Sequence, residues 1–235
     1  MIIHMISGPR NLSTATMYSF AQRRDTTVVD EPFYAHYLLK TGLNHPAREE
    51  TLQSQSGDFK EVLQSVVFGD HPTEHLFVKN MAHHLIEADL SFLKDVTNVF
   101  LIRNPKSLIR SFAKVIPNPS LLEIGIAHER ELYDQIASPK TVVLDATLLR
   151  KDPKSVLTKM CDQLGIEMDN RMLEWEAGPR PEDGVWAPHW YAGTHASTGF
   201  APPVKEEFEL PDMLNDLYLQ AKPHYDYLYQ FAIKP

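Results

Sequence analysis

The sequence predicts an α/β protein of three layers, with a central, mainly parallel sheet flanked by helices. Short apolar or β-branched runs alternate with segments of helical spacing, the pattern of parallel strands joined by crossover helices. The first strand runs directly into Gly8-Pro9-Arg10-Asn11, turn chemistry that opens a helix. The 235 residues are 43% hydrophobic and 23% charged, an ordinary globular composition. A chain of that length forms one sizeable core, so residues 1–235 read as a single domain.

Ile2 to Ile6 is a short buried strand, and Leu12 to Arg24 is the helix it feeds. Thr26 to Asp30 is a second β-branched run, stopped by Pro32, which leaves Glu31 just beyond a strand's C-terminal end. Phe33 to Lys40 has helical spacing, Asn44 to Asp58 is polar and irregular and is expected to be a mobile loop, and Phe59 to Phe68 is helical again. His75 to Lys79 and Val96 to Ile102 are the third and fourth strands. Pro105 suits the first turn of a helix reaching Lys114, and another helix covers Leu121 to Ile136. Thr141 to Asp145 makes the fifth strand, and Pro153 to Leu164, closed by Gly165, a further helix. Residues 177–203 form a long loop rich in Trp, Gly, Pro and His, a length that is usually functional, with aromatics that argue against disorder.

A net charge of −8 without a clustered basic surface argues against nucleic-acid binding. No run approaches the ~18 uncharged apolar residues of a membrane span, and the N-terminus lacks a secretory signal. The lone Cys161 fits a reducing, cytoplasmic setting. No His, Cys, Asp and Glu spacing suggests a metal site. Oligomeric state is not legible.

Chemistry concentrates at strand ends. Gly8-Pro9-Arg10-Asn11-Leu12-Ser13-Thr14 combines a turn glycine, a cation and two hydroxyls at a helix start, where unpaired amides and the helix dipole suit a phosphate. It is not a Walker A motif, which requires Gly-Lys before Ser or Thr. A simple N-cap by Asn11 or Ser13 is the plainer alternative. Val99-Phe100-Leu101-Ile102-Arg103-Asn104-Pro105 places Arg103 at a strand's C-terminal end, with Ser111 two turns into the next helix.

Together these two segments resemble the sulfotransferases that use 3′-phosphoadenosine 5′-phosphosulfate (PAPS). Pro9-Arg10-Asn11-Leu12-Ser13-Thr14 is similar to the family's 5′-phosphosulfate loop, Pro-Lys-Ser-Gly-Thr-Thr. Arg103 and Ser111 match its 3′-phosphate motif, and Asp145, Leu148-Leu149, Asp152-Pro153 and Leu164-Gly165 extend the likeness. The resemblance implies a P-loop-like fold, PAPS as co-substrate without a metal, and sulfuryl transfer to a hydroxyl or amine of a small-molecule acceptor. It departs from the pattern at Arg10 for lysine, Leu12 for glycine, Met81 where many members carry the catalytic histidine, and a missing C-terminal Arg-Lys-Gly motif. The segment from Gly184 to Phe200 is similar to a divergent bacterial and plant branch, part of it labelled aminotransferase-like; nothing in the chain points to pyridoxal phosphate.

On this basis Pro9, Arg10, Asn11, Leu12, Ser13, Thr14, Arg103 and Ser111 are the expected cofactor contacts, with Arg10 also stabilising the departing phosphate. Glu31 is the preferred general base, against a structural salt bridge or helix-start carboxylate, and Lys79 is expected to contact the transferred group. His83 and His84 are weaker base candidates that also suit polar boundary positions. Trp186, Trp190, Tyr191 and Phe200 either close over a ligand or form a satellite apolar cluster. A P-loop-type small-molecule kinase and a non-catalytic nucleotide-binding protein are the alternative functions.

Overall fold

Alternating side chains on short β-branched strands build a sheet buried on both faces. In the computed structural model, which describes residues 1–203 and 208–235, the strands are β1 (Ile2–Ser7), β2 (Thr26–Asp30), β3 (His75–Met81), β4 (Thr97–Ile102) and β5 (Val142–Asp145). All pair in parallel, in the order β2-β3-β1-β4-β5. β1 is central, in register with β3 from Ile2–Leu76 to Ser7–Met81 and with β4 from Ile3–Thr97 to Ser7–Leu101.

The helices are α1 (Ser13–Phe20), α2 (Tyr34–Thr41), α3 (Arg48–Ser54), α4 (Phe59–Val62), α5 (Pro105–Phe112), α6 (Leu121–Ile124), α7 (Ile126–Ile136), α8 (Ala146–Lys151), α9 (Pro153–Leu164), α10 (Ala187–Trp190), α11 (Ala192–His195) and α12 (Asp212–Tyr229). Ile3, Met5, Val99, Leu101, Val142 and Leu144 point to one face, against Met17 and Phe20 of α1 and Val156 and Met160 of α9. Ile6, Phe100, Ile102 and Val143 point to the other, against Leu108 of α5, Leu132 of α7 and Leu228 of α12. The chain leaves β1 toward the first face and leaves β3 and β4 toward the second, so a crevice opens at the C-terminal end of β1.

The parallel α/β architecture follows the sequence pattern, with five local differences. The first helix ends at Phe20, four residues before Arg24, because Arg23 turns away to pair with Asp25 through two hydrogen bonds of 2.8–2.9 Å. Residues 44–58 hold α3 rather than only a loop; Thr51 is fully buried, and Gln55 ties the segment down by donating to the Glu31 carbonyl (3.0 Å) and accepting from the Ala35 amide (3.2 Å). Residues 59–68 become one α-turn and then a π-turn, Leu63–Val67. Gly125, at φ 75°, splits the helix expected over Leu121 to Ile136 into α6 and α7. The C-terminal α12 is absent from the sequence reading because Pro223 lies inside it, yet it buries Leu214, Leu217, Ala221 and Leu228 on one stripe. No helix of the described residues is long and apolar enough to cross a membrane.

Candidate functional site

The turn from β1 to α1 is shaped by close packing and by unusual backbone. A side chain at Gly8 would place its Cβ 2.4 Å from the Ile124 carbonyl, so only glycine fits there. Arg10 and Leu12 adopt φ of 61° and 78°, a region that favours glycine. Leu12 thus keeps a glycine-like backbone while its side chain leans on the apolar core beside α1. α1 starts without a side-chain cap, leaving its first amides without intrahelical partners. Among the described residues, the Ser13 and Thr14 hydroxyls also make no hydrogen bond, and both face the crevice.

Two hydrogen bonds join the two motifs, and a third ties Arg10 to the far wall. Arg103 Nη1 donates to the Arg10 carbonyl (2.5 Å), Arg10 Nε donates to Ser111 Oγ (3.2 Å), and Arg10 Nη1 donates to the Trp190 carbonyl (2.7 Å). Asn11 differs from its sequence expectation. Its side chain is fully buried, donates to the Leu101 carbonyl at 2.9 Å, and anchors the turn to β4 instead of facing a ligand.

Pro9, Arg10, Leu12, Ser13, Thr14, Glu31, Lys79, His83, His84, Arg103 and Ser111 all line one cavity of about 330 Å³. Among the described residues, three of the five non-glycine residues with positive φ, Arg10, Leu12 and Glu31, line it, and such strain clusters where geometry is imposed for function. A second pocket of about 240 Å³ adjoins it through Leu12, Arg103, Ser111 and Arg150, and adds Ser107, Arg110, Lys114 and Thr147. Arg110, Lys114 and Arg150 are absent from the sequence reading. The spacing of Ser107, Arg110, Ser111 and Lys114, which puts them on one helical stripe, was the available signal.

At the opposite side, Asp30 ends β2, Glu31 follows it, and Lys79 lies in register with Asp30 near the end of β3. Lys79 is fully buried, and its ammonium donates to Asp30 Oδ1 (2.7 Å), Glu31 Oε1 (2.5 Å) and Tyr191 Oη (2.5 Å). Those three partners use its three N–H bonds, so in the unliganded protein Lys79 is an internal counter-ion on the cavity wall. Tyr191 Oη donates to Asp30 (2.8 Å) and accepts from Trp186 Nε1 (2.9 Å), while the Gly184 amide donates to Asp30 Oδ2 (3.1 Å). Burial raises the Glu31 carboxyl above the usual range, against the pull of Lys79 and with help from Asp30. Its second oxygen, Oε2, lies 3.8 Å from His84 Nδ1.

His83 and His84 occupy a buried 3₁₀ turn, with rings 4.8 Å apart and edge to face. Burial lowers both, His83 to about 3, so the two rings are neutral and weakly basic. His84 stacks on Tyr34 at 4.6 Å. Trp186, Trp190 and Tyr191 form the cavity's far wall and also belong to an apolar cluster with Tyr34, Tyr37 and Leu38. Phe200 turns away and packs edge-on against Trp175 at 5.2 Å. The wall is fastened to α1 by Asp183, which accepts from Tyr18 Oη (2.7 Å) and contacts His195 Nε2 (2.9 Å).

A sulfotransferase-domain family model matches residues 1–232. The chain belongs to the sulfotransferase family. Its sheet resembles that of the sulfotransferase domain of the Synechococcus olefin synthase, at a TM-score of 0.59 and 18% identity, covering 96% of this chain and 94% of that one. A sulfotransferase domain from the curacin biosynthetic pathway aligns at a TM-score of 0.56 and 15% identity, covering 100% and 98%. These likenesses establish the P-loop-like fold. By sequence, this sulfotransferase-family chain is 40% identical over 230 residues to the Arabidopsis thaliana branched-chain-amino-acid aminotransferase-like protein 1, and 39% identical to protein 2. The match covers 97% of this chain and 41% of each relative, so the chain spans less than half their length.

Proposed function

We propose that residues 1–235 act as one domain that transfers a sulfuryl group from PAPS to a hydroxyl or amine of a small molecule. The observation that carries this reading is the convergence of the β1–α1 turn, the Arg103–Ser111 pair and the Glu31 carboxyl on one cavity. The residues suit such a donor. Free α1 amides with the Ser13 and Thr14 hydroxyls match a 5′-phosphate, and the pocket bearing Arg103, Arg110, Lys114 and Arg150 matches a second, distant phosphate.

The donor supplies an activated sulfuryl group joined to its 5′-phosphate. Sulfuryl transfer forms an acceptor O–S or N–S bond as the bridging S–O bond breaks. Glu31 receives the acceptor proton, helped by burial that makes it a stronger base than an ordinary carboxylate. Lys79 holds its other oxygen in place. Arg10 and the start of α1 neutralise charge on the departing phosphate. The net charge of −8 and the buried, free Cys161 fit a cytoplasmic enzyme with small-molecule rather than nucleic-acid partners.

Thermal unfolding with added nucleotides tests the donor. Adenosine 3′,5′-bisphosphate at about a hundred times its Kd contributes roughly 2.7 kcal/mol, a rise on the order of 5–10 °C. A larger rise with ATP and magnesium instead identifies a kinase.

A further inference from the structure

We propose that Glu129 is a positioning residue for the β1–α1 turn, its carboxyl forming the floor on which Gly8 rests. The proposal deepens the reading of that turn as the donor-phosphate site. Glu129 lies on α7, one turn after Gly125, and is fully buried. Among the described residues, neither of its carboxyl oxygens completes a hydrogen bond. A Cβ built on Gly8 would lie 3.2 Å from Glu129 Oε1 and 3.2 Å from Asn11 Nδ2, so the turn glycine is pressed between those two polar groups. The α6–α7 junction approaches equally closely, since a Cβ on Gly125 would lie 3.6 Å from Gly8 Cα.

A leucine would fill this space without the cost of burying a carboxyl. What Glu129 offers that leucine lacks is polarity directly below the turn, where the Gly8 amide is the backbone group favouring its charged form. Burial outweighs that amide and raises the carboxyl well above the usual range, which favours its neutral form. A neutral carboxyl presents an O–H donor beside a carbonyl acceptor, and glutamine likewise sets an N–H donor group beside a carbonyl acceptor. Nothing else in the site uses Glu129, and it does not line the cavity, so its influence on a ligand passes through the turn.

The experiment compares the parent chain with Glu129→Gln and Glu129→Leu. Amide hydrogen exchange over residues 8–14 of the unliganded protein reports on the turn, and thermal unfolding reports on the fold. Glu129→Leu is expected to speed exchange in the turn by up to about tenfold, the scale of one polar interaction with the Gly8 amide, at an unchanged or higher Tm. Glu129→Gln is expected to restore the parental pattern. Titration with adenosine 3′,5′-bisphosphate should show a parallel loss of affinity for the leucine variant alone. If Glu129→Leu does not fold, Glu129→Ala is read in the same way. Parental exchange in the apolar variant, or equal acceleration in the glutamine variant, overturns the proposal. Failure of the parent to bind the bisphosphate overturns the donor reading while the exchange comparison still decides the role of Glu129.

Discussion

The two sides of the cavity are built on opposite principles. At the β1–α1 turn, hydrogen-bonding capacity is left open: the first α1 amides and the Ser13 and Thr14 hydroxyls lack partners. At the ends of β2 and β3 the chain closes that capacity, with every N–H of Lys79 committed to Asp30, Glu31 or Tyr191. On the proposed reading an anion completes the open side, while on the other a carboxyl is held in place by a cation that is itself immobilised. Substitutions on the open side should alter ligand affinity with little effect on the fold. Those on the closed side should alter turnover or stability.

The largest expected effect tests the closed side. Glu31→Gln keeps the shape but removes the proton acceptor, and turnover should fall by about 10²–10⁴-fold with bisphosphate affinity nearly unchanged. In the parent, kcat should rise with pH as Glu31 deprotonates, along a limb above the ordinary carboxylate range; this limb should vanish in the variant. Next comes Lys79→Met, which strands two buried carboxylates and should cost about 3–5 kcal/mol of stability in denaturant titrations. A variant as stable as the parent would show that the cluster is not closed in solution.

On the open side, Arg103→Ala should weaken binding of adenosine 3′,5′-bisphosphate by about 1.5–3 kcal/mol relative to adenosine 5′-phosphate, measured by calorimetry. Equal losses for both ligands would place the 3′-phosphate elsewhere, with Arg110 and Arg150 the next residues to substitute. The effect that is smallest near neutral pH concerns His83 and His84. Their unfolded forms protonate near pH 6.5 and the folded His83 only at about 3, so the unfolded chain binds more protons between those values. Stability is therefore complete above about pH 6.5 and declines as the pH falls, by about 1.4 kcal/mol per pH unit for each histidine. His83→Gln should flatten the slope of Tm against pH.

How much of this was legible in the sequence follows the same division. The sheet was readable because β-branched runs and turn residues are local signals, and the β1–α1 turn because its residues are contiguous. Arg103 and Ser111 were readable from their position at a strand end and the following helix. Asn11 was misplaced because contiguity does not reveal which way a side chain turns, and Leu101 claims it. The neutralisation of Lys79 was invisible because Tyr191 lies 112 residues away in sequence. Residues 44–58 looked like a loop because the only buried residue of α3 is Thr51, which leaves no apolar stripe to read.

The far wall also has a consequence for how the molecule assembles. Arg10 meets the Trp190 carbonyl, and Asp30 meets Tyr191, across separations of 180 and 161 residues, whereas the strands and α1 are complete by Asp145. Closing so long a loop is an entropic cost that only the finished sheet can offset. Docking of residues 177–203 is therefore expected to follow formation of the sheet, and until it occurs Lys79 is without its tyrosine partner and the cavity lacks one side. The same hinge of events runs backward: local opening of this one segment dismantles the pocket while the sheet persists, so protease nicking there should abolish ligand binding long before it unfolds the protein.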